Sequence, residues 1–304
     1  MKFTLFLLSY FFLFYCSSQD ITLKMAYESD SNKVLVAAHR GDWKNFPENS
    51  MPAVLSCIKN GIDIVEIDVQ KTKDGYFVLM HDATLDRTSN GRGLVSNYYL
   101  SDIIKLKLKN SKKELTEYTI PRLEDILDKT DGKIIVNIDK SSGRFPELIQ
   151  LVQSLGKGSH VIMKGTAKPT YFKSLYDKDS SEAYFMPIIS SKIEDLNLYL
   201  MTSETKLVEL LLSNDSSFCS TEEGLKVFNN YNCKIWYNAL FSSISGGHNE
   251  NKNAIDSWKW FINHKAYVIQ TDYPFHLMQF LINENLHKKI KGFEEISLEN
   301  LPNK

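Results

Sequence analysis

Net charge of either sign is what this 304-residue chain lacks most. Its 36 Lys and Arg stand against 37 Asp and Glu, for a formal net charge of −1. A balance this close to zero supplies no global field for holding nucleic acid or an anionic membrane surface. Cysteine is scarce too: Cys16, Cys57, Cys219 and Cys233 are the four in the chain. None has metal-ligand spacing, which argues against a soft-metal site, and the three after residue 20 cannot all pair with one another. They read as small buried apolar side chains, or as one disulfide plus a free thiol. No glycine-rich phosphate fingerprint follows a strand, so the alternative of a doubly wound open sheet has no support.

What is present begins at the N-terminus. Lys2 precedes about a dozen mostly apolar residues, Thr4 to Tyr15, the length of a signal-peptide h-region and too short to span a bilayer as a helix. Cys16-Ser17-Ser18-Gln19-Asp20 follows at once. A cysteine in that place resembles a bacterial lipoprotein cleavage site, although Tyr15 stands where a small residue is usual. The expectation is a signal peptide over residues 1–20, or a lipoprotein signal ending before Cys16. Export to a periplasmic or extracellular face follows, with a lipid anchor at Cys16 as the only expected tie to a membrane.

From Lys33 onward, short apolar runs alternate with helical patterns. The candidate strands are Val34–Ala38, Ile62–Val69, Tyr76–His81, Ile134–Asp139, His160–Lys164, Tyr184–Ile189, Leu207–Leu212, Lys234–Ala239 and Tyr267–Thr271. Most are continuous rather than alternating, as suits strands buried on both faces of a parallel sheet. Helical patterns fall at Phe145–Leu155, Lys192–Met201, Glu222–Asn230, Ala254–Asn263 and Phe275–Asn283. Repeated strand–helix units without a composition shift predict one α/β domain, a TIM-type (β/α)8 barrel over residues 33–284, with 285–304 as a C-terminal tail. The ninth strand is accounted for by a hairpin. Too few residues separate Val69 from Tyr76 for a parallel crossover, so the two runs must be antiparallel with Asp74-Gly75 as the turn. Residues 83–132 form a small insertion after that hairpin, read as loops plus helices at Leu100–Lys109 and Leu123–Lys129, and suited to walling a substrate cleft.

Chemistry concentrates at the ends of these runs. Glu66 and Asp68 are two apart on one strand and face the same way, between Ile64, Val65, Ile67 and Val69. Two buried carboxylates this close repel unless a cation sits between them, and an all-oxygen set suits Mg²⁺ or Ca²⁺. Asp139, at the end of the next barrel strand, supplies a third. His39 and His81 end two strands, and the imidazole side chain is the type that can serve as base or acid at neutral pH. Arg40 offers a planar fork that matches phosphate.

These residues carry a resemblance. His39-Arg40-Gly41, Pro47-Glu48-Asn49-Ser50, Glu66-Ile67-Asp68-Val69, Asp74-Gly75, His81-Asp82 and Leu85-Asp86-Arg87-Thr88 are similar, in order and spacing, to the glycerophosphodiester phosphodiesterase family. Looser matches follow at Ile120-Pro121-Arg122-Leu123-Glu124, Trp236-Tyr237-Asn238 and Ile269-Gln270-Thr271-Asp272. The resemblance implies a TIM-type barrel that hydrolyses a small-molecule glycerophosphodiester to glycerol phosphate and an alcohol. It implies His39 and His81 as catalytic, Glu66, Asp68 and Asp139 as ligands of one divalent cation, Ca²⁺ or Mg²⁺, and Arg40 and Glu48 at the phosphate. The chain departs from the family pattern at the third acid, where Asp139 is followed directly by Lys140. Lys164 is then the candidate for a second phosphate cation, Asn238 for a ligand contact, and His248 for a loop that reaches substrate. Two rivals stand beside this reading: hydrolysis of inositol-type phosphodiesters on the same barrel, and a non-catalytic surface protein that binds phosphodiesters.

Overall fold

A computed structural model describes residues 33–288 apart from 142, 177–183 and 191–194, together with 293–299 and 301. The expected signal peptide and Cys16 lie outside the described residues. Eleven strands are described: β1 (Leu35–Ala38), β2 (Ile64–Lys71), β3 (Phe77–Leu79), β4 (Lys107–Lys109), β5 (Leu115–Thr119), β6 (Ile135–Asp139), β7 (Val161–Gly165), β8 (Tyr184–Ser190), β9 (Leu207–Leu211), β10 (Lys234–Asn238) and β11 (Ala266–Thr271). The helices are α1 (Met51–Lys59), α2 (Leu100–Ile103), α3 (Leu123–Thr130), α4 (Phe145–Leu155), α5 (Pro169–Tyr176), α6 (Leu196–Ser203), α7 (Glu222–Asn230), α8 (Glu250–Asn263) and α9 (Pro274–Asn283).

Eight strands run parallel in the order β1-β2-β6-β7-β8-β9-β10-β11, and β1 pairs with both β2 and β11, so the sheet closes on itself. This is the expected (β/α)8 barrel. The alternation of each strand explains its double burial. Val36, Val65, Ile67, Val136 and Ile138 belong to the large core under the helices. Leu35, Ala37, Ile64, Ile135, Ile162, Leu207, Trp236 and Val268 fill the barrel interior.

The hairpin of β2 and β3 is antiparallel with Val69 opposite Leu79, and the Met80 N–H donates to the Asp68 carbonyl at 3.0 Å. That bond brings the chain leading into His81 level with the end of the acidic strand. Helix α1 starts where the Pro-Glu-Asn-Ser run ends. The Ser50 hydroxyl accepts the Ala53 N–H and Pro52 lies in the first turn, a strong N-terminal signal. Gly41 has a φ of +74°, and a Cβ there would meet the Ala53 Cβ at 3.0 Å, so only glycine lets the chain pass this close to α1.

The insertion differs from its sequence reading. Helix α2 stops at Ile103, and β4 and β5 form a second antiparallel pair where a continuous helix to Lys109 was expected. Apolar residues alternate with lysines from Ile104 to Lys109, a period of two that favours a strand. Val78, Met80, Leu85, Val95, Ile103, Leu108 and Ile120 give this region its own small core. Cys57, Cys219 and Cys233 are all free and buried, which selects the small-apolar reading over a disulfide. The tail lies against the barrel, since Phe293 and Leu301 join the main core.

Candidate active site

One step beyond the apolar residues inside the barrel, at the C-terminal ends of the strands, the inward positions become polar. Glu66, Asp68, Asn137, Lys164, Glu209, Asn238 and Gln270 are all buried there. Glu66, Asp68 and Asp139 each offer an oxygen, and these atoms lie within 4.8 Å of one another. The register places Glu66 beside Asn137 and Asp68 beside Asp139. Each acid is positioned by a separate device. The Arg40 N–H donates to Glu66 Oε2 at 2.9 Å, from a backbone held at φ +54°. Asn49 grips Asp68 twice, its Nδ2 donating to Oδ2 and its Oδ1 accepting the Asp68 N–H, both at 2.9 Å. The Lys140 N–H donates to Asp139 Oδ1 at 2.6 Å, while the Lys140 residue itself is exposed.

Lys164 supplies the buried positive charge of the cluster. Its Nζ is 3.4 Å from Asp139 Oδ2, 3.1 Å from Glu209 Oε2 and 3.1 Å from Gln270 Oε1. Burial favours the neutral amine, yet Asp139, Glu209 and Glu66 outweigh it and hold Lys164 charged well above its ordinary range. Glu66 goes the other way. Burial and the neighbouring Asp68 push it well above the carboxylate range, against the pull of Lys164. Burial also raises Asp139, but Lys164 and the Lys140 N–H overcome this and leave it below the ordinary value. Three buried carboxylates, Glu66, Asp68 and Glu209, and the half-buried Asp139 thus share one ammonium, with the Arg40 Nε at 3.5 Å from Asp68 already divided between other partners. The donor set is all oxygen and under-compensated, which fits a hard divalent cation.

The two histidines are each seated on an aspartate. His39 Nδ1 is 2.7 Å from Asp272 Oδ1, and the Arg40 Nε donates to His39 Nε2 at 3.0 Å. Because an arginine nitrogen can only donate, His39 Nε2 holds the lone pair and Nδ1 carries the proton given to Asp272. His81 Nδ1 is 2.7 Å from Asp82 Oδ1, and the Gln70 amide holds the His81 carbonyl at 3.1 Å. Arg87 and His81 together keep Asp82 far below the ordinary carboxylate range despite its partial burial. Glu48 joins the two arms. It accepts Arg40 Nη1 at 2.9 Å and both terminal nitrogens of Arg87, whose remaining donors hold Asp82. A continuous chain therefore runs from His39 through Arg40, Glu48, Arg87 and Asp82 to His81.

Asn238 is buried beside Glu209 at 3.4 Å and accepts the Leu240 N–H, so it braces the rim of the barrel. His248 stacks on Trp260 of α8 at 4.2 Å. Sequence reasoning assigned no role to Arg87, Asp82, Asn49, Asp272, Glu209 or Glu250. Glu209 carried a readable signal: it is a lone acid within Leu207-Val208-Glu209-Leu210-Leu211, the pattern that marked Glu66. Glu250 had none. It heads a polar helix, yet it is fully buried and accepts the Asp272 N–H at 2.6 Å and the Thr271 hydroxyl at 2.5 Å. Burial and Asp272 push its carboxyl up to about 8.

A family model described as "Glycerophosphoryl diester phosphodiesterase family" matches residues 39–232, and one described as "Domain of unknown function" matches residues 185–281. A glycerophosphodiester phosphodiesterase of Caldanaerobacter subterraneus subsp. tengcongensis is 45% identical over 114 residues, covering 36% of this chain and 46% of that protein. One from Bacillus subtilis (strain 168) is 33% identical over 149 residues, covering 45% of this chain and 50% of that protein. The chain thus spans about half the length of the curated relatives it matches. Among solved structures, a glycerophosphoryl diester phosphodiesterase from Parabacteroides distasonis ATCC 8503 aligns with a TM-score of 0.70 at 22% identity, covering 88% of this chain and 93% of that one. An Oleispira antarctica phosphodiesterase in complex with the product sn-glycerol-3-phosphate aligns with a TM-score of 0.62 at 21% identity, covering 82% and 96%. These two structures share the barrel fold.

Proposed function

The chain belongs to the glycerophosphoryl diester phosphodiesterase family, and we propose that it hydrolyses glycerophosphodiesters to glycerol phosphate and an alcohol. One observation carries the reading: three carboxylates within 4.8 Å of one another lie next to Arg40, on the same strand ends that carry two histidines, each seated on an aspartate. The curated relatives of the family bear the name of this activity, and the product-bound Oleispira antarctica protein holds glycerol phosphate on the same fold.

In this reading Glu66, Asp68 and Asp139 would hold one divalent cation, Ca²⁺ or Mg²⁺. When bound, it neutralises phosphate charge and lowers the pKa of a neighbouring hydroxyl. Arg40 receives a non-bridging phosphate oxygen. Lys164 offsets the repulsion between the acid cluster and the phosphodiester monoanion of the substrate. One histidine takes the proton of the glycerol hydroxyl next to the ester as that oxygen attacks phosphorus. The other gives a proton to the departing alcohol oxygen, leaving a cyclic phosphate. Water then opens the cycle with the proton roles exchanged. Each positioned histidine contributes roughly 10²–10⁴-fold. Asp272 and Asp82 fix which ring nitrogen faces the substrate, and Glu48 holds Arg40 and Arg87 at a set spacing.

The test is a substrate panel of glycerophosphocholine, glycerophosphoethanolamine and glycerophosphoinositol with Ca²⁺ or Mg²⁺ present, read by release of glycerol phosphate. Turnover that collapses in both His39→Ala and His81→Ala supports the proposal. Inositol phosphate as the product would move the activity to inositol-type diesters. Binding of all three without turnover would make the chain a phosphodiester-binding protein and end the hydrolase reading.

A further inference from the structure

A cleft of about 340 Å³ opens beside the two histidine arms, lined by His39, Arg40, Trp43, Arg87, Phe241 and, from the β4–β5 hairpin, Lys109 to Ser111 and Lys113. None of Glu66, Asp68 and Asp139 lines it, so it receives the part of a substrate that points away from the acid cluster. On the hydrolase reading above, on which this inference rests, that part is the leaving alcohol.

The charges around this cleft are unequal. Its carboxylates, Glu48 and Asp272, are already engaged: Glu48 by two arginines, and Asp272 by His39 and by the Trp43 indole N–H at 2.7 Å. Lys109 and Lys113 have no carboxylate within ion-pair distance among the described residues; the Lys109 Nζ is held by a neutral group, the Asp86 carbonyl, at 3.0 Å. The lysines are on a built support. Asn110 Oδ1 accepts the Lys112 and Glu114 N–H groups at 3.0 Å each, and the Lys113 N–H closes on the Asn110 carbonyl at 2.9 Å. The Lys109 N–H donates to the Thr88 carbonyl at 2.8 Å, which ties the hairpin to the loop that carries Arg87. The aromatic wall adds to the same bias. The Lys44 Nζ sits 4.5 Å from the Trp43 ring centroid and 4.0 Å from that of Tyr273, so Trp43 already carries a cation and is a poor seat for a quaternary ammonium.

We propose that this cleft selects a leaving alcohol of net negative charge, such as a phosphorylated polyol, over neutral and cationic alcohols. Lys109 and Lys113 act there as specificity-determining residues. Fixed positive groups on low-dielectric walls raise the local concentration of an anionic group and repel a cationic one.

The test compares kcat/KM for three glycerophosphodiesters: one whose leaving glycerol bears a terminal phosphate, glycerophosphoglycerol, and glycerophosphocholine. The wild-type chain should favour the first over the last by about tenfold or more at low ionic strength. The gap should narrow as added salt shortens the range of the lysine charges. Lys113→Glu, at an exposed position, should shrink or reverse the order, and Lys109→Met should shrink it while keeping the side-chain stem. Equal rates for the anionic and choline diesters, or an order unchanged by both variants, would overturn the inference and leave the hydrolase reading standing. Turnover of none of the three would overturn both.

Discussion

Along the barrel strands the inward-facing residues change character part way up. Leu35 and Ala37 lead to His39, Ile64 to Glu66 and Asp68, Ile135 to Asp139, Ile162 to Lys164, and Leu207 to Glu209. The lower half is a dry apolar plug. The upper half buries three carboxylates, a lysine and three amides in the same cylinder, with Asp139 half-buried at its rim. The two halves share strands, register and alternation, so the backbone is not what separates them. Burial strengthens every electrostatic interaction in the upper half and makes an unpaired charge there expensive. The lower half has no such dependence, and its residues are exchangeable as long as volume is kept.

Variants in each half break this comparison in different ways. The largest effect is expected at the rim. His39→Ala and His81→Ala should each lower turnover by roughly 10²–10⁴-fold with little change in the melting curve; hydrolysis assays beside thermal unfolding check this, and full activity in either variant would remove that histidine from the chemistry. Next is Lys164→Met, which strips the acid cluster of its buried cation. It should destabilise the protein by about 3–5 kcal/mol in denaturant titrations, because Asp139 and Glu209 lose their partner. Ile64→Ala, directly below Glu66, should cost about 2–5 kcal/mol by leaving a cavity in the plug. It should alter kcat far less than the histidine variants do, and an equal loss of kcat would dissolve the division between the halves.

The smallest effect concerns Glu250, behind Asp272. Its carboxyl is raised to about 8 by burial and Asp272, while in the unfolded chain it ionises near the ordinary glutamate value of 4.5. Below 4.5 both states are protonated and no penalty exists. As pH rises from 4.5 towards 8, the unfolded state releases a proton that the folded state keeps, so this group's contribution to stability falls across that window. Glu250→Gln should flatten the fall between pH 5 and pH 8 in urea titrations. An unchanged slope would assign the pH dependence to other groups.

Much of this was legible because strands and charges leave strong marks. An acid pair inside Ile64–Val69 has no apolar explanation, and the short gap around Asp74-Gly75 admits only a hairpin, which is what β2 and β3 form. The barrel followed from repeated apolar runs of matching length. The insertion is less legible: the apolar-lysine alternation after Ile104 is short and follows a helical turn, and the antiparallel partner of β4, Leu115–Thr119, has no buried residue and little apolar signal. Lys164 reads as a strand-end lysine until β9 is seen to place Glu209 against it, since a pairing between distant strands leaves no local pattern. Glu250 is hidden for the same reason. Only the fold turns the start of a polar helix into the support for Asp272.

The central claim is that the upper barrel is built around a cation that the chain's own lysine and arginine do not replace. Calorimetric titration of the chelator-treated chain with Ca²⁺ and with Mg²⁺, repeated on Asp139→Asn, tests it most directly. The wild-type chain should bind one equivalent of one of these ions, with turnover restored in step, and the variant should bind far more weakly. No binding by the wild-type chain, together with undiminished hydrolysis in chelator, would contradict the account.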